Sequence, residues 1–223
     1  MYENEVEIGN AIKNAGLDRK EIFLTTKLNN TDHGYEAALK AFDDSLKKLG
    51  QDYVDLYLIH WPIKEGRAAS WKGLEKLYAE KRVKAIGVAN YNIALLEELK
   101  TTASIVPAVN QIEFSPWLYQ EDLLAYCKAA GIQVQSYSPI TRGLKFSDER
   151  LVLICNKYNR TPAQIVLNWH LQHGISTIPK SSKKERLVEN FDATSFTLSN
   201  EDVKIMNGFN ENFRICDDPQ TYL

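Results

Sequence analysis

Six short apolar, β-rich runs alternate along the chain with stretches of helical periodicity, and this alternation restricts the fold to an α/β architecture built on a parallel sheet. Parallel neighbours require a crossover, which the intervening helices supply. Strands are read at residues 21–27, 54–60, 83–88, 108–113, 133–138 and 175–178. Helices are read at 3–14, 35–49, 71–80, 93–100, 121–130, 148–158, 162–172 and 183–190, with Gly16, Gly50 and Gly131 as stops. No Pro/Gly/Ser-rich linker interrupts the pattern, so residues 1–223 are expected to form one domain. Six strands suit an open doubly wound sheet, but its Gly-x-Gly-x-x-Gly turn is absent from the sequence. They are also two short of the eight that close a barrel, a deficit that falls before Tyr2.

At 44% hydrophobic and 25% charged residues, the chain has the composition of a soluble globular domain. A net charge of -2 provides no field for nucleic acid, so no nucleic-acid partner is expected. Cys127, Cys155 and Cys216 lie in neither metal nor redox spacing, and an odd number argues against a disulfide framework. The acidic start lacks the features of a signal peptide, and no apolar run approaches a membrane-spanning length. A cytoplasmic protein without membrane association is the expectation.

Lys27 and His60 each finish a strand-like run, which places both at the carboxyl end of the sheet, where catalytic groups of α/β barrels gather. Tyr2 stands immediately ahead of the first helix. Each has a plainer reading: a surface tyrosine, a snorkelling lysine, a turn histidine. His170 and His173, three apart on a helix, have a spacing that suits a metal, but the sequence places no third ligand and no metal site is expected.

Five motifs sharpen this picture: Tyr2-Glu3-Asn4-Glu5, Thr26-Lys27-Leu28, Leu58-Ile59-His60-Trp61-Pro62, Val109-Asn110-Gln111-Ile112-Glu113 and Ile178-Pro179-Lys180-Ser181. In order and over nearly the whole chain they resemble the aldo-keto reductases. The segment between His60 and Trp71 is similar to compact members that reduce diketo acids, aldehydes or prostaglandin-like carbonyls. The resemblance implies a (β/α)8 TIM barrel, represented here by about six βα units. It further implies NADP(H) bound without a Rossmann fold, a small carbonyl substrate, and a monomer when the barrel is complete. Of a tetrad of Asp, Tyr, Lys and His, it carries Tyr2, Lys27 and His60. The Asp, expected five residues before the tyrosine in an Asp-Thr-Ala stretch, falls before Met1.

The same resemblance assigns Asn90 and Gln111 to the nicotinamide carboxamide, and Tyr137 to stacking on its ring beside Ser138. Lys180, Ser181 and Arg186 are assigned to the adenosine 2'-phosphate, and Glu189 and Asn190 to the adenine. Trp61 joins His60 in the substrate pocket, and residues 210–223 resemble a pocket-bordering C-terminal loop, although a disordered end suits so polar a tail equally well. Ser182 and Glu185 read as a capping box at a helix start that favours an anion. Two positions depart from the family pattern: Ala89 stands where serine is common, and Asn29 where many relatives carry tryptophan.

The chemistry fits these residue types. Carbonyl reduction needs a hydride at carbon and a proton at oxygen. A phenol, with an ordinary pKa of about 10, becomes a usable donor when a nearby cation favours its phenolate. Tyr2 takes that role with Lys27 as the cation, while His60 orients and polarises the carbonyl. Met1 is read as an internal methionine of a chain lacking roughly forty residues of a typical barrel. The alternative is a truncated, inactive barrel that serves as a nucleotide-binding, regulatory or interaction protein.

Overall fold

The computed structural model describes residues 2–222. Its strands are β1 (Thr25–Leu28), β2 (Val54–Ile59), β3 (Val83–Ala89), β4 (Val109–Glu113), β5 (Gln133–Tyr137) and β6 (Ser176–Thr177), in sequential order in one sheet. The registered pairs β1–β2, β2–β3 and β5–β6 are parallel. Nine α-helices lie among the described residues: α1 (Glu5–Asn14), α2 (Tyr35–Leu49), α3 (Arg67–Ala79), α4 (Ile93–Thr102), α5 (Glu121–Ala129), α6 (Glu149–Tyr158), α7 (Pro162–Gln172), α8 (Lys184–Phe191) and α9 (Asn200–Asn207). None is long and apolar enough to cross a membrane. The chain divides into two compact units, one holding residues 2–110, 130–132 and 219–222, the other 111–129 and 133–218.

In the first unit every residue of β2 is buried, which fits a strand covered on both faces. Asp55 is the charged exception. Burial on its own would raise its pKa, but the Leu24 N–H, Lys84 and Arg19 hold the carboxyl below its usual range. Helix α2 turns Ala38, Phe42, Leu46 and Leu49 inward and stops at Gly50, whose φ of 61° suits a residue without a Cβ. Helix α1 lies so close to the end of α2 that a Cβ on Gly9 would come within 2.3 Å of the Leu49 carbonyl oxygen. Thr26 Oγ1 donates to Glu5 Oε1 at 2.8 Å, tying the first turn of α1 to β1. These two contacts set where Tyr2 enters. Gly9→Ala is therefore expected to cost about 1–3 kcal/mol of stability through backbone overpacking. A urea midpoint unchanged from wild type would show that α1 tolerates displacement.

The second unit packs around α7, which is buried on nearly all sides: Ile165, Val166, Leu167 and Trp169 are buried beside the polar Gln164, Asn168 and His170, and Phe114 stacks on Trp169 at 5.6 Å. His170 places Nδ1 2.8 Å from the Val166 carbonyl and Nε2 3.0 Å from the Phe114 carbonyl, while His173 Nε2 lies 2.9 Å from Asn207 Oδ1. Both histidines are thus held by the packing of α7. Glu113, 4% exposed, accepts from the backbone N–H groups of Ile215 and Cys216 at 2.7 and 3.0 Å, so this stretch of the tail is fixed rather than loose.

Several sequence expectations shift. Residues 19–21 form a 3-10 turn closed by a reciprocal Asp18–Glu21 capping box, Phe23 is 68% exposed, and β1 begins only at Thr25. The first apolar run is therefore not a buried strand throughout, and Lys27 precedes the last residue of β1. Helix α3 starts at Arg67, four residues before the periodicity suggests, because its first turn is buried through polar contacts. Helix α9 was not expected; Ser199 caps it by accepting from Asp202 N, and Met206 anchors it.

Candidate active site

Parallel pairing aligns Lys27 with Leu58 and Leu28 with Ile59, and His60 N donates to the Leu28 carbonyl at 3.3 Å. The register brings the ends of β1 and β2 side by side. Tyr2 reaches in ahead of α1, with its hydroxyl 3.3 Å from His60 Nε2 and its ring centroid 5.5 Å from the imidazole. Lys27 Nζ lies 5.4 Å from the centre of the same phenol ring. The phenol, the ammonium and the imidazole share the wall of an open cavity of about 560 Å³.

The electrostatics follow from burial. With no ion pair to hold it up among the described residues, desolvation lowers Lys27 to about 8. Burial, and then the positive charge of Lys27, lowers His60 to about 4. At neutral pH the imidazole is therefore uncharged, and it can donate or accept one hydrogen bond without competing with the ammonium. Tyr2 is 66% exposed and open to an incoming molecule. The set can exchange a proton with a polar oxygen while a neighbouring cation stabilises negative charge on that oxygen.

Two further residues adjoin His60. Asn90, just past β3, adopts a left-handed φ of 63° and donates from Nδ2 to the His60 carbonyl at 2.9 Å, fixing the peptide that follows β2. Trp61 is buried, with its ring stacked on Tyr222 at 5.3 Å.

The remaining expected residues lie in the second unit. Gln111 Nε2 donates to Gln135 Oε1 at 2.6 Å, while its own Oε1 is buried without a partner among the described residues. Tyr137 ends β5, where burial, ahead of the nearby Cys216 and Glu113, pushes its phenol above the ordinary range. Ser138, Thr141 and Arg142 follow, all with positive φ, at 49°, 49° and 53°. Three strained non-glycine residues in one turn are unusual, and the Thr141 hydroxyl is buried without a partner among the described residues. The sequence singled out neither Thr141 nor Arg142; only Pro139 and Gly143 hint at a tight turn. Lys180 and Arg186 are exposed, and Glu189 and Asn190 half-buried. The capping box read at Ser182 does not form. Lys183 occupies the cap position, and Ser181 closes the turn instead, its Oγ accepting from Lys183 N at 3.1 Å.

The model of the Aldo/keto reductase family matches residues 1–211. The chain is 46% identical to glyoxal reductase of Bacillus subtilis (strain 168), over 100% of its own length and 81% of that protein's. It is 40% identical to methylglyoxal reductase DkgA of Escherichia coli (strain K12), over 99% of this chain and 81% of the relative. A crystal structure of a Gox0644 mutant in complex with NADPH superposes with a TM-score of 0.93 at 39% identity, covering 99% of this chain and 81% of that one. With Lys27 and His60 at the ends of successive parallel strands and the Tyr2 phenol against them, and with likeness of this extent, the chain belongs to the aldo/keto reductase family.

Proposed function

We propose that this chain reduces small aldehydes and ketones, dicarbonyls such as glyoxal among them, to alcohols with NADPH, and that it also runs the reverse oxidation. The observation that carries the reading is the Tyr2–His60 contact of 3.3 Å with Lys27 beside the same ring. Glyoxal and methylglyoxal are the substrates named for two of the relatives. The six sequential strands are read as part of a (β/α)8-type barrel.

In this reading Tyr2 delivers the proton to the substrate oxygen and withdraws it in the reverse direction. Lys27 lowers the cost of negative charge on the phenolic oxygen. His60, neutral at pH 7, hydrogen-bonds the carbonyl and holds one face toward the hydride donor. NADPH, when bound, supplies the hydride. The residues present fit it: the unpartnered Gln111 oxygen is an acceptor for an amide N–H, and the strained 138–142 turn has the character of a ligand clamp. Asn90 is assigned to the carboxamide, Tyr137 and Ser138 to the nicotinamide end, Lys180, Ser181 and Arg186 to the 2'-phosphate, and Glu189 and Asn190 to the adenine.

Two measurements test this. NADPH absorbance followed with glyoxal, methylglyoxal and aromatic aldehydes should fall in proportion to carbonyl reduced; no consumption with any of them would refute the activity. Replacing Lys180 and Arg186 together by alanine should weaken NADPH binding by about 10-fold or more while changing NADH binding little, since only the former carries the extra phosphate. Equal losses for both cofactors would remove these side chains from phosphate recognition.

A further inference from the structure

The cavity that joins Tyr2, Lys27 and His60 is walled by α1, β1 and α2, opens to solvent, and has a volume of about 560 Å³. Its carboxylates are Glu3, Glu5, Asp32 and Asp44. Glu5, which reaches β1, is engaged on both oxygens: Oε1 accepts from Thr26 Oγ1 at 2.8 Å, and Oε2 lies 3.9 Å from Lys48 Nζ. Asp32 accepts from Thr31 Oγ1 at 3.1 Å. Among the described residues no carboxylate holds Lys27 in its charged form, and burial alone lowers it to about 8. The side chain is half-buried, so its amine is withdrawn from bulk water yet reachable from the cavity. At pH 7 about one such amine in ten is neutral, against roughly one in two thousand for a solvated lysine. A neutral amine in a desolvated wall is what Schiff-base lysines use as their nucleophile. Proton transfer is provided beside it. The exposed Tyr2 hydroxyl stands 3.3 Å from His60 Nε2, and Lys27 Nζ lies 5.4 Å from the centre of the same phenol ring.

We propose that Lys27 is a covalent capture site for small aldehydes, which it holds as an imine while the Tyr2 hydroxyl moves the protons. The amine nitrogen adds to the carbonyl carbon, and the N–C bond forms as a proton reaches the former carbonyl oxygen. That oxygen then leaves as water, the C–O bond breaks, and a C=N bond remains. Tyr2 gives a proton to the departing oxygen and recovers one from nitrogen, so the phenol ends unchanged. Aldehydes suit the site better than ketones, because a single substituent leaves the carbon open to a half-buried nitrogen. The step consumes no oxidant, reductant or nicotinamide. It therefore goes beyond the reduction proposed above and does not depend on it.

The test incubates the full chain at pH 7 with propanal and sodium cyanoborohydride, which reduces the imine to a stable secondary amine, and maps the adducts by peptide mass spectrometry at low conversion. Lys40 and Lys48 of α2 line the same cavity but are exposed, so they serve as references. Lys27 is expected to be labelled at least about tenfold faster than either. That preference should vanish in denaturant, where the wall no longer exists. Tyr2→Phe should slow labelling of Lys27 by about tenfold or more and leave Lys40 and Lys48 unchanged. Equal labelling of the three lysines in the folded chain, or adducts confined to the amino terminus, would overturn the proposal. So would a Lys27 preference that survives denaturant, or undiminished labelling of Lys27 in Tyr2→Phe. If that variant gives no cooperative thermal melt, the wild-type map with and without denaturant decides on the same terms.

Discussion

Tyr2→Phe is expected to lower kcat for carbonyl reduction by about 10²–10⁴-fold while leaving NADPH affinity within about twofold. The substitution removes one oxygen atom and keeps the ring, so the 5.5 Å packing against His60 and the approach of Lys27 to the ring face survive. What goes is the hydroxyl 3.3 Å from His60 Nε2. Without it, negative charge developing on the substrate oxygen has the His60 hydrogen bond and the neighbouring ammonium, but no phenolic proton to receive. A small drop confined to KM would instead cast Tyr2 as a binding surface. Undiminished kcat would transfer the proton-donor role to His60 or to water. Fluorescence titration of NADPH with the variant completes the measurement, since a lost cofactor site would also silence turnover.

The division between what the sequence displayed and what it concealed follows from the kind of physics involved. Burial patterns are periodic, and they located α2, α7 and five of the six strands within a few residues; α2 and α7 match at both ends. Catalytic candidates came from residue type at the end of a run, and the parallel register turned that linear fact into proximity: pairing Lys27 with Leu58 leaves His60 two residues farther along the neighbouring strand. Concealed were features held by polar contacts or by backbone strain. Arg67 starts α3 through carbonyls and Glu98, which leaves no apolar stripe to read. The positive φ values at Thr141 and Arg142 belong to residues that ordinarily avoid that region, so composition gave no sign of them. Phe23 misled in the opposite direction: an apolar residue in an apolar run, it lies mostly in solvent because the preceding 3-10 turn delays the start of β1.

The alkaline side of the pH profile should belong to Lys27. With its ammonium lowered to about 8 by burial, the side chain is charged below that pH and neutral above it. Carbonyl reduction depends on the charged form, so kcat/KM is expected to hold steady through neutral pH and to fall as pH rises through about 8. His60, lowered to about 4, stays uncharged across that range and introduces no break until strongly acidic pH. Folding runs the other way. The folded pKa lies below the ordinary 10.5, so the unfolded chain binds the extra proton between about 8 and 10.5, and the cost of burying the ammonium is relieved as pH rises through that window. This residue therefore makes the protein more stable where it makes it less active, and thermal melts at each pH separate lost activity from lost structure. Lys27→Met should cut kcat/KM at pH 7 by about 10²-fold and erase the break near 8, because the cation that favours charge on the neighbouring oxygen is gone at every pH. Should the break persist in Lys27→Met, a different group governs the alkaline limb, and the ammonium would have no part in preparing Tyr2 for proton transfer.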